Sequence, residues 1–582
     1  MRPVRLFSCG LFAATALAVL PAALAATGTV TLTGIDAELR DNTLALLSLE
    51  QEPCDAPDWR MQASLQQAHT DIHQALQAFG YYEPLINQSF QRGEADGCWS
   101  ASFDIQPGSR VNVRNIDISI TGAAGSDDSF QQLLNKPGLK AGQPLRHDHY
   151  ESLKTSITNL AANRGYFNSQ LTQHELQVDP TAGYADISLR LDSGPRFIFG
   201  ATAVQQTIID AALLQSYLFY REDQPYARAA ITETSRALSS SGYFSRVLVQ
   251  PLIAEAEDEK VPVSITLTPS NRHRYSASIG FATDTGPRLG LGYKNQRLNQ
   301  HGHQLSSDLS LSKVISTLTL GYSIPLDKPV TDKLRFEVGY KYEDNDSYQA
   351  DTTAVSATRT HQLDNLWLEE QVLAFGRESY KISGEQRDST LLLMPGIGWT
   401  RIIADNPLFP RNGLRINFKT RGGLQEVISD ISFLQLMGRF KGILGLPWRS
   451  RVIGRVDTGV TFMNSFDQLP PSVRFFAGGD NSVRGYAYKS LGPENASGDV
   501  EGGKNLLVGS LEIEHRFADK WALAAFVDAG NAFDDTVIDA KTGVGLGIRW
   551  RSPVGPIRLD LAHPLDNSDE LFRVHFVMGP EL

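Results

Sequence analysis

Leu334-Arg335-Phe336-Glu337-Val338-Gly339-Tyr340-Lys341-Tyr342 alternates apolar with polar or small residues without a break. Successive side chains of an extended strand point to opposite faces, so this stretch carries one oily face and one wet face. A wall between lipid and water requires that arrangement. The pattern recurs: Leu318, Leu320 and Tyr322 alternate with Thr317, Thr319 and Gly321, and similar segments lie near 275–281, 414–418, 546–550, 557–561 and 572–578. Residues 269–582 supply 314 positions. A membrane strand needs about 9–11 residues plus its share of loop, so about 16 strands fit. An open sheet edge in hydrocarbon would strand unpaired backbone groups, so the medium demands closure. The expected fold for this region is a transmembrane antiparallel β-barrel.

Upstream, the period changes to that of helices. Gly80-Tyr81-Tyr82, Gly165-Tyr166-Phe167 and Gly242-Tyr243-Phe244 recur, each behind a helix-like segment. Leu65, Ala68, Ile72, Leu76 and Phe79 mark the helical face of the first copy, Tyr150, Leu153, Ile157 and Leu160 that of the second, and Tyr226, Ala230 and Leu238 that of the third. Each glycine stands where a left-handed helix cap is wanted. A strand pair follows, 171–178 with 185–191 in copy two and 247–253 with 261–267 in copy three, and a strand opens each unit at 30–32, 111–120 and 197–204. Strand, helix, helix, strand, strand is a small α+β module, and three in tandem predict an arm. The expected divisions are a leader over 1–25, modules over 26–107, 108–193 and 194–268, and the barrel over 269–582.

The leader expectation rests on Arg2 and Arg5 ahead of an apolar run and on Ala23-Leu24-Ala25, the small-residue pattern of a secretory cleavage site. Cleavage leaves Cys54 and Cys98, which an exported chain is expected to join as a disulfide. Closing that loop removes about 4 kcal/mol of unfolded-state entropy. Beyond the leader no 18-residue apolar run is free of charge, which argues against helical spans. With 65 acidic against 54 basic residues and a net charge of -11, a general nucleic-acid binder is excluded, since neutralising phosphates needs concentrated Lys and Arg.

No catalytic or metal constellation stands out, and no cofactor is expected. His147 and His149 are two apart at a helix start and cannot share a helical face, while His301 and His303 read as a solvated loop pair. No nucleophile has an identifiable base, so an enzyme is disfavoured.

The most specific stretch is Phe475-Phe476-Ala477-Gly478-Gly479-Asp480-Asn481-Ser482-Val483-Arg484-Gly485-Tyr486, followed by Phe526-Val527-Asp528-Ala529-Gly530. These resemble the Val-Arg-Gly-Tyr loop and the Phe-x-Asp-x-Gly strand motif of the bacterial outer-membrane assembly and two-partner secretion superfamily. Pro407-Leu408-Phe409-Pro410-Arg411-Asn412-Gly413 and Ser552-Pro553-Val554-Gly555-Pro556-Ile557-Arg558-Leu559-Asp560-Leu561-Ala562 match further family elements. The resemblance implies that the upstream modules are of the POTRA type, that the loop bearing Val483, Arg484, Gly485 and Tyr486 folds into the lumen, and that Arg484 reaches the inner wall near Asp528. Phe526 and Gly530 belong to the strand motif, and Glu512 and Glu514, on one face of a neighbouring strand, can share the arginine. Three modules and a Gly-Pro-Glu-Leu end look like the translocation-and-assembly-module branch.

What this implies for function is insertion or export of β-rich, autotransporter-like proteins at the outer membrane of a Gram-negative cell. The expected partners are unfolded outer-membrane clients, the lipid bilayer and an inner-membrane-anchored, TamB-like protein. The seam between first and last strand would open sideways, with Gly280 in the first strand and Gly579-Pro580 after the last weakening its pairing. A two-partner secretion transporter and a passive channel are the competing readings.

Overall fold

The computed structural model describes residues 28–93, 98–135, 138–383, 385–535, 537–552, 555–567 and 570–578. The expected leader and the Gly579-Pro580 part of the expected seam lie outside them. The chain divides into two compact units, one of residues up to 200 with 223–228 and 253–261, the other of 201–222, 229–252 and everything from 262.

Three small sheets are built alike. The first holds β1 (Thr29–Thr33), α1 (Ala37–Leu46), α2 (Asp58–Gln77), β2 (Leu85–Arg92) and β3 (Trp99–Gln106), with strand order β1-β3-β2. The second holds β4 (Asn112–Thr121), α3 (Asp128–Leu134), α4 (His147–Arg164), β5 (Gln170–Asp179) and β6 (Tyr184–Asp192), with order β4-β6-β5. The third holds β7 (Ile198–Gln205), α5 (Ala211–Gln215), α6 (Arg228–Ser240), β8 (Phe244–Pro251) and β9 (Lys260–Pro269), with order β7-β9-β8. In the first two the opening strand runs parallel to the middle one and the remaining pair is antiparallel.

The apolar helix faces close these sheets. Ala68, Ile72 and Leu76 of α2 are buried with Phe103 and Ile105 of β3. In α4 the buried residues are Tyr150, Leu153, Ile157 and Ala161 rather than Leu160, and in α6 they are Ile231, Thr234, Ala237 and Leu238 rather than Ala230. A 3.6-residue period leaves such one-position ambiguities at the rim of a face. The disulfide joins Cys54, ahead of α2, to Cys98, beside β3.

Gly80, Gly165 and Gly242 all have φ near +80 to +89°. Beyond the first two, the following tyrosine N–H turns back onto the helix, Tyr81 to Leu76 O at 3.1 Å and Tyr166 to Ala161 O at 2.9 Å. A Cβ on Gly165 would lie 2.8 Å from Tyr226 Cβ and 3.2 Å from Phe197 O, whereas one on Gly183, at φ +74°, meets nothing within 4 Å. Gly183→Ala should therefore cost only the left-handed penalty, roughly 1–2 kcal/mol. Gly165→Ala adds crowding and should cost at least about 1 kcal/mol more. Denaturant unfolding measures both; equal losses of stability would show that the Tyr226 contact is slack.

Sixteen strands form the remaining sheet: β10 (His273–Ala282), β11 (Gly286–Asn295), β12 (Gln304–Ser312), β13 (Ile315–Pro325), β14 (Lys333–Asp344), β15 (Tyr348–Gln362), β16 (Leu368–Ile382), β17 (Asp388–Ala404), β18 (Gly413–Gly423), β19 (Phe433–Gly445), β20 (Ser450–Met463), β21 (Asn505–Ala518), β22 (Trp521–Phe533), β23 (Lys541–Ser552), β24 (Gly555–Pro564) and β25 (Arg573–Met578). Each pairs antiparallel with its neighbour in sequence. The alternation sorts the faces: Leu507, Leu511, Ile513 and Phe517 of β21 are exposed, while Glu512 and Glu514 between them are buried. An exposed apolar band over a polar interior suits lipid outside and water inside. The barrel is nearly closed and has one unsealed seam, because among the described residues no ladder joins β10 to β25. Gly280 lies within β10 opposite Arg288 of β11, and a Cβ there would meet open space.

Candidate functional site

The connection 464–504 between β20 and β21 packs against inward-facing residues from many strands. Gln435 donates to Val473 O at 2.7 Å, Lys489 to Glu343 at 2.7 Å and Asn495 to Ser383 O at 2.9 Å. Arg455 donates to the carbonyls of Asn481 and Ser482. These anchors tie the loop to β14, to the end of β16, and to β19 and β20.

At its centre the chain turns through Gly485, at φ +101°. Val483 and Tyr486 are buried with Ala477, Leu491 and Val508, and the Tyr486 hydroxyl reaches Thr542 O at 3.3 Å. Arg484 is thereby aimed at the wall of β21–β24. Its Nε and Nη2 meet Asp528 Oδ2 and Oδ1 at 2.7 and 2.9 Å, and its backbone N–H reaches the same carboxylate at 3.1 Å. Nη1 donates to Glu512 at 2.7 Å and to Asp560 at 3.1 Å. The guanidinium carbon lies 3.4 Å from the ring centroid of Phe526.

A planar cation with five donors fits this set as a lysine would not, because two N–H groups run parallel to one carboxylate while a third turns to the next strand. Arg484 is 5% exposed and Asp528 fully buried. At that depth an unpaired charge would be costly, so each member depends on the others.

Glu514, two residues further along β21 than Glu512, faces Arg451 at 2.6 Å and Arg549 at 3.2 Å. Gly530, in the strand motif, has φ +150°, and a Cβ there would lie 2.2 Å from Leu507 O.

Two further residues of the cluster, Arg549 and Asp560, are not distinguished by the loop and strand motifs that mark Arg484 and Asp528. Arg549 binds Glu512 at 2.8 Å and Asp560 at 2.6 Å, bridging the acids that Arg484 also uses. Both residues sit at inward positions of alternating strands, which was the available signal.

Residues 260–581 match the Omp85 superfamily domain, residues 29–107 match POTRA domain TamA domain 1, and residues 112–194 match the surface antigen variable number repeat, a POTRA domain. Outer membrane protein assembly factor BamA of Nitratidesulfovibrio vulgaris is 23% identical over 538 residues, 84% of this chain and 63% of that protein. The chain thus spans less than two thirds of that relative's length. BamA of Neisseria meningitidis is 21% identical over 86% of this chain and 70% of its own. The crystal structure of Haemophilus ducreyi BamA lacking POTRA domains 1–3 has the same fold, with a TM-score of 0.63 at 18% identity over 80% of this chain and 99% of that one. With more than half of the chain matched by the family domain and POTRA modules ahead of it, the chain belongs to the Omp85 superfamily, as an outer-membrane β-barrel whose N-terminal modules lie in the periplasm.

Proposed function

We propose that this protein assembles or translocates other proteins at the outer membrane, with the β10–β25 seam as the place where a client strand enters. The observation that carries the reading is the seam itself: β10 and β25 are the two ends of a sixteen-strand sheet and share no ladder among the described residues. Unpaired backbone in hydrocarbon is costly. A client strand offering a row of N–H and C=O groups satisfies both edges without regard to its side chains. No nucleotide is needed, since pairing supplies the driving force.

The relatives' printed names describe outer membrane protein assembly, which supports unfolded outer-membrane proteins as clients. The match of 29–107 to a TamA first POTRA domain supports the narrower reading. In it the clients are β-rich and autotransporter-like, and a TamB-like, inner-membrane-anchored protein is the partner. A passive channel is disfavoured by the loop 464–504, which occupies the interior.

Phe281 and Phe576 face each other across the seam, ring centroids 5.9 Å apart. Cysteines at these positions, bridged by a short thiol cross-linker, should abolish client assembly while leaving the barrel folded. Normal assembly by the bridged protein would end the lateral-entry reading.

A further inference from the structure

What holds the seam in place of a ladder is found at the hairpin tip after β10. Thr283 gives its N–H to Phe576 O at 3.4 Å and accepts the Phe576 N–H on its hydroxyl at 2.8 Å. That hydroxyl in turn donates to Asp480 Oδ1 at 2.8 Å. Asp480 belongs to the luminal loop, four residues before Arg484. Its other oxygen accepts the Asp284 N–H at 3.3 Å, and its own N–H donates to Asp284 Oδ2 at 2.7 Å.

The opposite border is reached by the same carboxylate. Asp480 Oδ1 lies 2.6 Å from Nδ1 of His575, on β25. The far ring nitrogen, Nε2, is 2.8 Å from the Gly485 N–H. An amide N–H only donates, so Nε2 must be the acceptor, and the imidazole proton sits on Nδ1, directed at Asp480. His575 is 1% exposed and Asp480 6%. Gly479, at φ +105°, brings the loop against Asp284, whose Oδ2 a Cβ would meet at 2.6 Å.

We infer that Asp480 and His575 are positioning residues forming a clasp across the seam, through which the seated loop holds β10 and β25 together and must shift before they part. This rests on the lateral-entry reading and adds its control. The side chains of Asp284, Asp480 and His575 are close enough to suit a cation. Yet both imidazole nitrogens and both Asp480 oxygens already hold protein hydrogen bonds, which assigns the cluster to a clasp.

The test places spin labels at Ile279 and Val574, on β10 and β25, in the full-length protein in lipid nanodiscs, and reads the separation across the seam. Asp480→Ala should raise the widely separated fraction by about threefold or more, the effect of one or two net hydrogen bonds. Thr283→Val, which removes one exposed-end hydroxyl and keeps side-chain shape, guards against misfolding as the cause and should act in the same direction. His575→Leu should resemble Asp480→Ala. His575→Gln, which can donate from its amide nitrogen and accept on its oxygen, should restore the native distribution. Unchanged separations in Asp480→Ala and Thr283→Val, with heat-modifiable mobility intact, would overturn the clasp. If these variants widen the seam while the cross-linked seam still supports client assembly, the clasp stands and the lateral-entry reading fails.

Discussion

Replacing Arg484 by alanine should destabilise the barrel by about 3–5 kcal/mol, the usual consequence of removing one partner from a buried ion cluster. Asp528 would lose its bidentate donor, Glu512 and Asp560 would keep Arg549 but lose Arg484, and Phe526 would lose the cation over its ring. The loop should then loosen in its seat, since of the three bonds that Arg484 makes to the Asp528 carboxylate only that of the backbone N–H would remain. Arg484→Lys keeps the charge but cannot form two parallel bonds to Asp528 while reaching Glu512, so it should recover less than half of the loss. Loss of heat-modifiable mobility on warming reports the stability, and protease cleavage within 464–504 reports the loop. An alanine variant as heat-stable and protease-resistant as the parent would reduce the arginine to one charge among many in the lumen.

Asp528→Ala probes the same link from the wall. Because Arg484 and Asp528 act as a pair, the double variant should cost much less than the two single losses added together. Additive losses would mean that the contacts are independent.

The barrel was readable because strand alternation is a local property. Leu334 to Tyr342 shows its two faces within nine residues, the alternation that a wall with lipid on one side and water on the other requires. The modules were readable because a helix stop leaves a mark: Gly80, Gly165 and Gly242 sit where only a residue without Cβ turns easily into the left-handed region. Arg484 and Asp528 were picked out by motif.

What escaped depends on register and closure. Arg451 lies directly opposite Glu514 across β20 and β21, and that offset decides which arginine each glutamate meets. Nothing in the residues 512–514 specifies it. The Asp480–His575 contact joins positions 95 apart in the chain, from a loop and the last strand, and exists only once the sheet has curled round. Thr283 is still further from Phe576 in sequence and meets it for the same reason. Local pattern thus establishes the wall, whereas the constellation inside it follows from the curvature of the whole sheet.

Gly543→Ala should release the luminal loop as effectively as removing Arg484, although every charge stays in place. β23 presents Gly543, Gly545 and Gly547 on its inner face, between the outward Val544, Leu546 and Ile548. A Cβ at 543 would lie 1.8 Å from Arg484 O and 3.0 Å from Arg484 C. Both atoms are backbone, so no rotamer change relieves the clash. The loop must retreat by more than about 1 Å, and hydrogen bonds that begin at 2.7–3.1 Å then pass the range in which they hold. The overpacking itself should cost about 1–3 kcal/mol. Gly547 differs: the two nearest atoms met there are side-chain atoms of Asp560 and Arg549, at 1.9 and 2.5 Å, which can rotate away only by breaking their mutual bond, while the backbone O of Leu559 lies further off at 3.0 Å. Gly454→Ala on the outer face of β20, where a Cβ meets nothing within 4 Å, is the control and should leave loop and stability nearly unchanged. Protease cleavage in 464–504 separates the cases. If Gly543→Ala protects the loop as well as Gly454→Ala does, the wall yields rather than the loop, and charge alone seats Arg484. If it exposes the loop with the ion cluster chemically intact, the bare backbone of β23 is as necessary to the site as the arginine.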